Sequence, residues 1–98
     1  ENGWGRIVML SQSGVLPPRG NNFAYALGKG GQELLALSLA EELRGTEVTA
    51  NLVLVRSIGA RDETHDDRTT PEELASTIEY LCSDEARTIN GARIPAYG

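Results

Sequence analysis

The chain has 98 residues, with 14 acidic and 9 basic side chains and a formal net charge of -5. That length allows one small domain, and 40% apolar residues is lean for a self-sufficient core. No run nears the ~20 apolar residues that cross a bilayer, a lone cysteine (Cys82) excludes a disulfide framework and disfavours a cysteine-based zinc site, and the acidic balance argues against nucleic acid or an anionic membrane as partner.

Gly5 to Ser11, GRIVMLS, is a short apolar run closed by polar residues, the pattern of a parallel strand buried on both faces. Residues 12 to 22 hold two prolines, two glycines and two asparagines, which predicts a loop. From Phe23 to Arg44 the spacing predicts a helix of about six turns. Leu27, Leu34, Leu35, Leu37, Leu39 and Leu43 are its expected apolar contacts, and Gln32, Glu33, Glu41 and Glu42 its wetter positions. Arg44 suits the negative end of the helix dipole and Gly45 a stop. Gly28, Gly30 and Gly31 each cost roughly 1 kcal/mol against alanine inside a helix, which is compatible with close packing of another backbone or with a mobile first half.

Glu47 to Arg56, rich in valine, predicts a second strand. Residues 57 to 69 lose apolar rhythm and read as a solvated loop; His65 with Glu63, Asp66 and Asp67 belongs to it more naturally than to a metal site. Thr70-Pro71-Glu72-Glu73 is a capping box with proline at the first helical position, and it starts a helix to about Cys82. Ala75, Ile78, Leu81 and Cys82 form its expected apolar stripe, with Cys82 a small core residue. Asn90 to Gly98 reads as a turn and a last short strand, and Trp4 as packing at the entrance of the first. The pairs Glu41/Glu42 and Glu72/Glu73 fit a wet face and a cap better than paired catalytic carboxylates. Alternation of this kind implies parallel strands joined by right-handed crossovers. The first strand starts five residues into the chain, so the sheet is expected to be the second half of a larger one.

Tyr25 and Lys29 stand four apart and project from one helix face. An ammonium beside a phenol favours the phenolate and makes tyrosine a usable acid or base near neutral pH. Ser11 and Ser13 follow the first strand, at the end where active-site residues of open α/β sheets gather, and a serine hydroxyl there can steady charge on a carbonyl oxygen. As a bare pattern tyrosine-x-x-x-lysine is weak, since surface helices carry it as a solvated pair. The preceding strand and loop strengthen it.

With these motifs in order, the chain resembles the C-terminal half of a short-chain dehydrogenase/reductase. GRIVMLSQSG resembles the family's fifth strand and serine segment, YALGK its tyrosine-x-x-x-lysine signature, TEVTANLVLVRSI its sixth strand and cofactor loop, and the segment from Thr69 its closing helix and seventh strand. The resemblance implies an α/β fold: residues 1–98 as a single partial domain, the C-terminal catalytic half of a Rossmann-like doubly wound parallel sheet. It further implies an NAD- or NADP-dependent carbonyl/alcohol oxidoreductase acting on a small molecule, cytoplasmic, homo-oligomeric through the helix carrying Tyr25 and Lys29, with neither nucleic acid nor membrane as partner. Tyr25 would exchange the proton, Lys29 would assist it and hold the nicotinamide ribose, and Ile58 would orient the nicotinamide ring through its backbone. The family's serine falls by counting on Gln12. A one-residue deletion in the loop would bring Ser13 into place, with Ser11 the other neighbour, whereas a substitution would leave the role with Gln12 or with no residue. The family's proline-glycine after the sixth strand is Val55-Arg56 and its following threonine is Ala60, where Arg56 could meet a phosphate or carboxylate. The glycine-rich turn that cradles the pyrophosphate is absent from the sequence. An alternative reading is a non-catalytic module that keeps the scaffold, or an incomplete, inactive fragment.

Overall fold

The computed structural model describes residues 4–12, 23–64 and 68–97. Three strands, β1 (Trp4–Gln12), β2 (Glu47–Val55) and β3 (Arg93–Pro95), form a parallel sheet in the order β1-β2-β3. Helix α1 (Phe23–Glu42) joins β1 to β2, and helix α2 (Pro71–Leu81) with a short 3-10 turn (Asp84–Ala86) joins β2 to β3. The registers run from Trp4 opposite Glu47 to Gln12 opposite Val55, and from Leu52 opposite Arg93 to Leu54 opposite Pro95. This is the α/β order that the alternating pattern implies.

The continuous apolar character of β2 has a direct cause: it is the central strand, buried from Thr49 to Val55. Val53 and Val55 pack with Leu74, Leu81 and Ala86, and Val8, Ile78, Ile89 and Ile94 complete that layer. Period-two alternation turns Leu52 and Leu54 to the opposite face, under α1. β1 departs from the expected doubly buried strand. It is mostly half-buried, with Leu10 and Gln12 exposed, because among the described residues it pairs only with β2.

Helix α1 starts at Phe23 as expected but ends at Glu42, short of the expected Arg44, and turns several of its expected contacts outward. Its buried positions are Ala26, Glu33, Ala36 and Ala40. Leu27, Leu34 and Leu35 are 66%, 67% and 57% exposed, and Glu33, expected to be wet, is 5% exposed. Small side chains let the helix axis sit close over the sheet, so the bulky leucines at the other angular positions are left outward. Gly45, at φ 88°, ends the segment as expected. Arg44 lies beyond the helix and pairs at 2.9 Å with exposed Glu41, a contact of little energetic weight.

The capping box at α2 is complete. The Glu73 amide donates to Thr70 Oγ1 at 3.1 Å, and the Thr70 amide donates to Glu73 Oε1 at 3.0 Å. The buried stripe of α2 is Leu74 and Leu81, with Ile78 packed beside them; Ala75 and Cys82 are exposed, so Cys82 is not the core residue expected. One helical position separates Leu74 from Ala75, and that rotation, about 100°, decides which reaches the sheet. Trp4 is also largely exposed, with the Arg6 guanidinium 4.6 Å above its ring.

Two asparagines fix the final turn. Asn90 Oδ1 accepts from the Ala50 amide at 2.9 Å and its Nδ2 donates to the Ala40 carbonyl at 2.8 Å, clamping the end of α1 to β2. Asn51 donates to the Ile89 carbonyl and accepts from the Ala92 amide. Between them Gly91 takes φ 77°, which a side chain would strain. Among the described residues no helix is long and apolar enough to cross a membrane.

Candidate functional site

The C-terminal ends of β1 and β2 and the first turns of α1 surround an open cleft of about 270 Å³. Open α/β sheets present ligands at this end because side chains from several strand termini converge there. Leu10, Val55 and Ile58 give the cleft apolar walls, while Gln12, Tyr25, Lys29 and Arg56 bring polar groups to it.

Tyr25 and Lys29 both line the cleft, one helical turn apart. The Tyr25 ring is 51% exposed, so its hydroxyl is not walled into apolar packing. That hydroxyl donates to Gln12 Oε1 at 2.9 Å, and Gln12 Nε2 donates to the Arg56 carbonyl at 3.2 Å. The glutamine thus spans the cleft from helix to loop. The Arg56 guanidinium lies 4.3 Å over the Tyr97 ring. Ile58 lines the cleft and is held by a parallel bridge to Thr69, through the Gly59 amide to the Thr69 carbonyl and the Thr69 amide to the Ser57 carbonyl.

Ser11 reaches the same wall but its hydroxyl is engaged elsewhere: it is buried and donates to Glu33 Oε2. Ser13 lies outside the described residues, as do His65, Asp66 and Asp67. Two residues of this neighbourhood escape sequence reading. Glu33 looks like a surface glutamate, although its place eight residues after Tyr25 puts it on the same helix face. Arg93, whose Nε and Nη2 donate to Glu33 Oε1 at 3.1 and 3.0 Å, is 60 residues away in the chain and carries no local signal.

The donor set suits the nicotinamide end of a dinucleotide: apolar walls for a ring, and a phenol and an ammonium for hydroxyl-bearing partners. Lys29, Tyr25, Ile58 and Arg56 are the residues that could hold it. Among the described residues no glycine-rich turn of the dinucleotide-binding pattern accompanies them.

No family model matches the chain. Individual proteins do. A short-chain type dehydrogenase/reductase of Picea abies is 29% identical across 98% of the chain and 41% of its own length. The 3-oxoacyl-[acyl-carrier-protein] reductase MabA of Mycobacterium tuberculosis is 33% identical across 99% of the chain and 45% of its own length. The crystal structure of acetoin dehydrogenase YohF from Salmonella typhimurium superposes with a TM-score of 0.85 at 24% identity, covering 98% of the chain and 43% of that structure. The chain thus spans less than half the length of the curated relatives it matches. In sequence and in fold, nearly all of its length matches the C-terminal half of the short-chain dehydrogenases/reductases.

Proposed function

We propose that this chain is the catalytic half of an NAD(P)-dependent oxidoreductase that interconverts a carbonyl and an alcohol on a small molecule. The observation that carries the reading is the joint opening of Tyr25 and Lys29 onto one cleft at the strand C-termini. The relatives support it, since those named above are reductases and dehydrogenases.

In the reductive direction Tyr25 gives its hydroxyl proton to the substrate oxygen, and in the oxidative direction it takes that proton back. The substrate oxygen replaces Gln12 Oε1 as acceptor of the Tyr25 hydrogen bond. Lys29, which lines the same cleft one helical turn from Tyr25, would hold the nicotinamide ribose through its ammonium. The backbone at Ile58 would orient the nicotinamide ring and Arg56 would meet a phosphate or carboxylate. When bound, the cofactor, NAD or NADP, supplies or accepts the hydride. Ser13 is assigned the oxygen-steadying hydroxyl from the sequence, because the Ser11 hydroxyl is given to Glu33. The outward leucines and Phe23 of α1 support self-association through that helix.

A second reading, a scaffold without chemistry, draws on Gln12 at the counted serine position and on its hold over the Tyr25 hydroxyl. One variant separates the two. In the protein carrying this chain, Tyr25→Phe is expected to lower carbonyl reduction by roughly 10²–10⁴-fold while NAD(P)H still binds. Unchanged turnover removes the proton-transfer role, and a parent protein that turns over no carbonyl substrate favours the scaffold.

A further inference from the structure

Glu33 is the only buried carboxylate among the described residues, and it stands one turn beyond Lys29 on the same face of α1. A lysine and a glutamate four apart on a helix attract each other. Left to that pairing, the Lys29 ammonium would fold along the helix toward Glu33 and away from Tyr25. Both Glu33 oxygens are instead engaged, Oε2 by the Ser11 hydroxyl and Oε1 by Arg93 Nε and Nη2 at 3.1 and 3.0 Å. Among the described residues Lys29 forms no ion pair, and it is one of the residues lining the cleft.

We infer that Arg93 and Ser11 are positioning residues for Lys29: by saturating Glu33 from two different strands, they keep the ammonium directed into the cleft beside Tyr25. Ser11, on β1, acts through Glu33 and not on the reacting oxygen. A buried carboxylate stripped of its partner recruits the nearest available cation, and the flexible four-carbon stem of Lys29, one turn away, lets it answer. The placement of Lys29 stands on these contacts alone; its catalytic weight rests on the proposed function.

Lys29 is the only lysine of the chain, which allows a direct test. In the protein carrying this chain, labelled with 13C-lysine, the Lys29 Cε resonance is assigned by its loss in Lys29→Arg and followed in Arg93→Met, Ser11→Ala and Arg93→Met/Glu33→Gln, with a urea midpoint confirming that each variant is folded. Arg93→Met is expected to move the resonance and to lower turnover roughly tenfold, a part of what a positioned proton-transfer group supplies. Ser11→Ala should move the resonance in the same direction by less, and decides the matter if Arg93→Met does not fold. Adding Glu33→Gln, which removes the competing charge, should return both readouts toward the parent values. An unmoved Lys29 resonance in the folded single variants overturns the inference, as does a shift that persists in the double variant. A resonance that moves and returns without any change in turnover upholds the placement and overturns the catalytic role of Lys29 instead.

Discussion

Glu73 performs two tasks with one carboxylate. It closes the cap on α2 by accepting from the Thr70 amide, and it accepts from Arg61 Nη1 at 2.6 Å and from Arg61 Nη2 as well, strapping the loop that carries Ile58 to the start of the helix. The Arg61 hydrogen bonds first, and the Thr70 amide second, pull its carboxyl from the usual 4.5 down to about 2. The folded value is the depressed one, so this contribution is fully present above pH 4.5 and is lost as pH falls from there through about 2. Urea midpoints measured across that window should fall more steeply for the parent than for Glu73→Gln. Because both side chains of the pair are well exposed, added salt should narrow the difference. Parallel pH curves for the two proteins would show that the strap contributes nothing to folding. The cap itself was legible, since threonine, proline and glutamate sit at the spacing that reciprocal amide bonding requires. The Arg61 contact joins residues 12 apart in the chain and leaves no periodic trace.

At the scale of elements, α1 decides both the site and the surface. Ala36 is fully buried against the sheet, whereas Leu34, two positions away, is 67% exposed. Ala36→Leu should therefore cost about 1–3 kcal/mol of folding stability by overpacking. Leu34→Gln should change folding by no more than about 0.5 kcal/mol and yet weaken self-association of the protein in sedimentation. The reverse ranking in urea denaturation would mean that the helix is rotated from the facing described. The sequence could not settle that facing. Apolar residues occur all around α1, and leucine outranks alanine in any reading that equates bulk with burial. A sheet under a close helix selects the smaller side chain, a preference visible only once β2 is in place. The same limit hid Glu33. Its burial depends on Ser11 and Arg93 arriving from separate strands, whereas Tyr25 and Lys29 were legible because a single helical turn suffices to bring them together.

Across the whole molecule, the described residues leave apolar or unpaired surface at the leucine face of α1, at Tyr80 on α2, and along β1, which among them pairs on one side only. An unpaired parallel edge offers backbone groups to any other chain. The cleft meanwhile supplies polar contacts for one end of a dinucleotide, and among the described residues no glycine-rich turn of the dinucleotide-binding pattern offsets the charge of a pyrophosphate. The 98-residue polypeptide alone should therefore give no saturable change in NADPH fluorescence and should self-associate as its concentration rises. A longer protein that pairs a further strand with β1 and carries a glycine-rich turn should bind the same cofactor stoichiometrically. Tight one-to-one NADPH binding by the isolated polypeptide in calorimetry would mean that its own residues hold the phosphates. The division of labour between phosphate cradle and proton-transfer site would then fail.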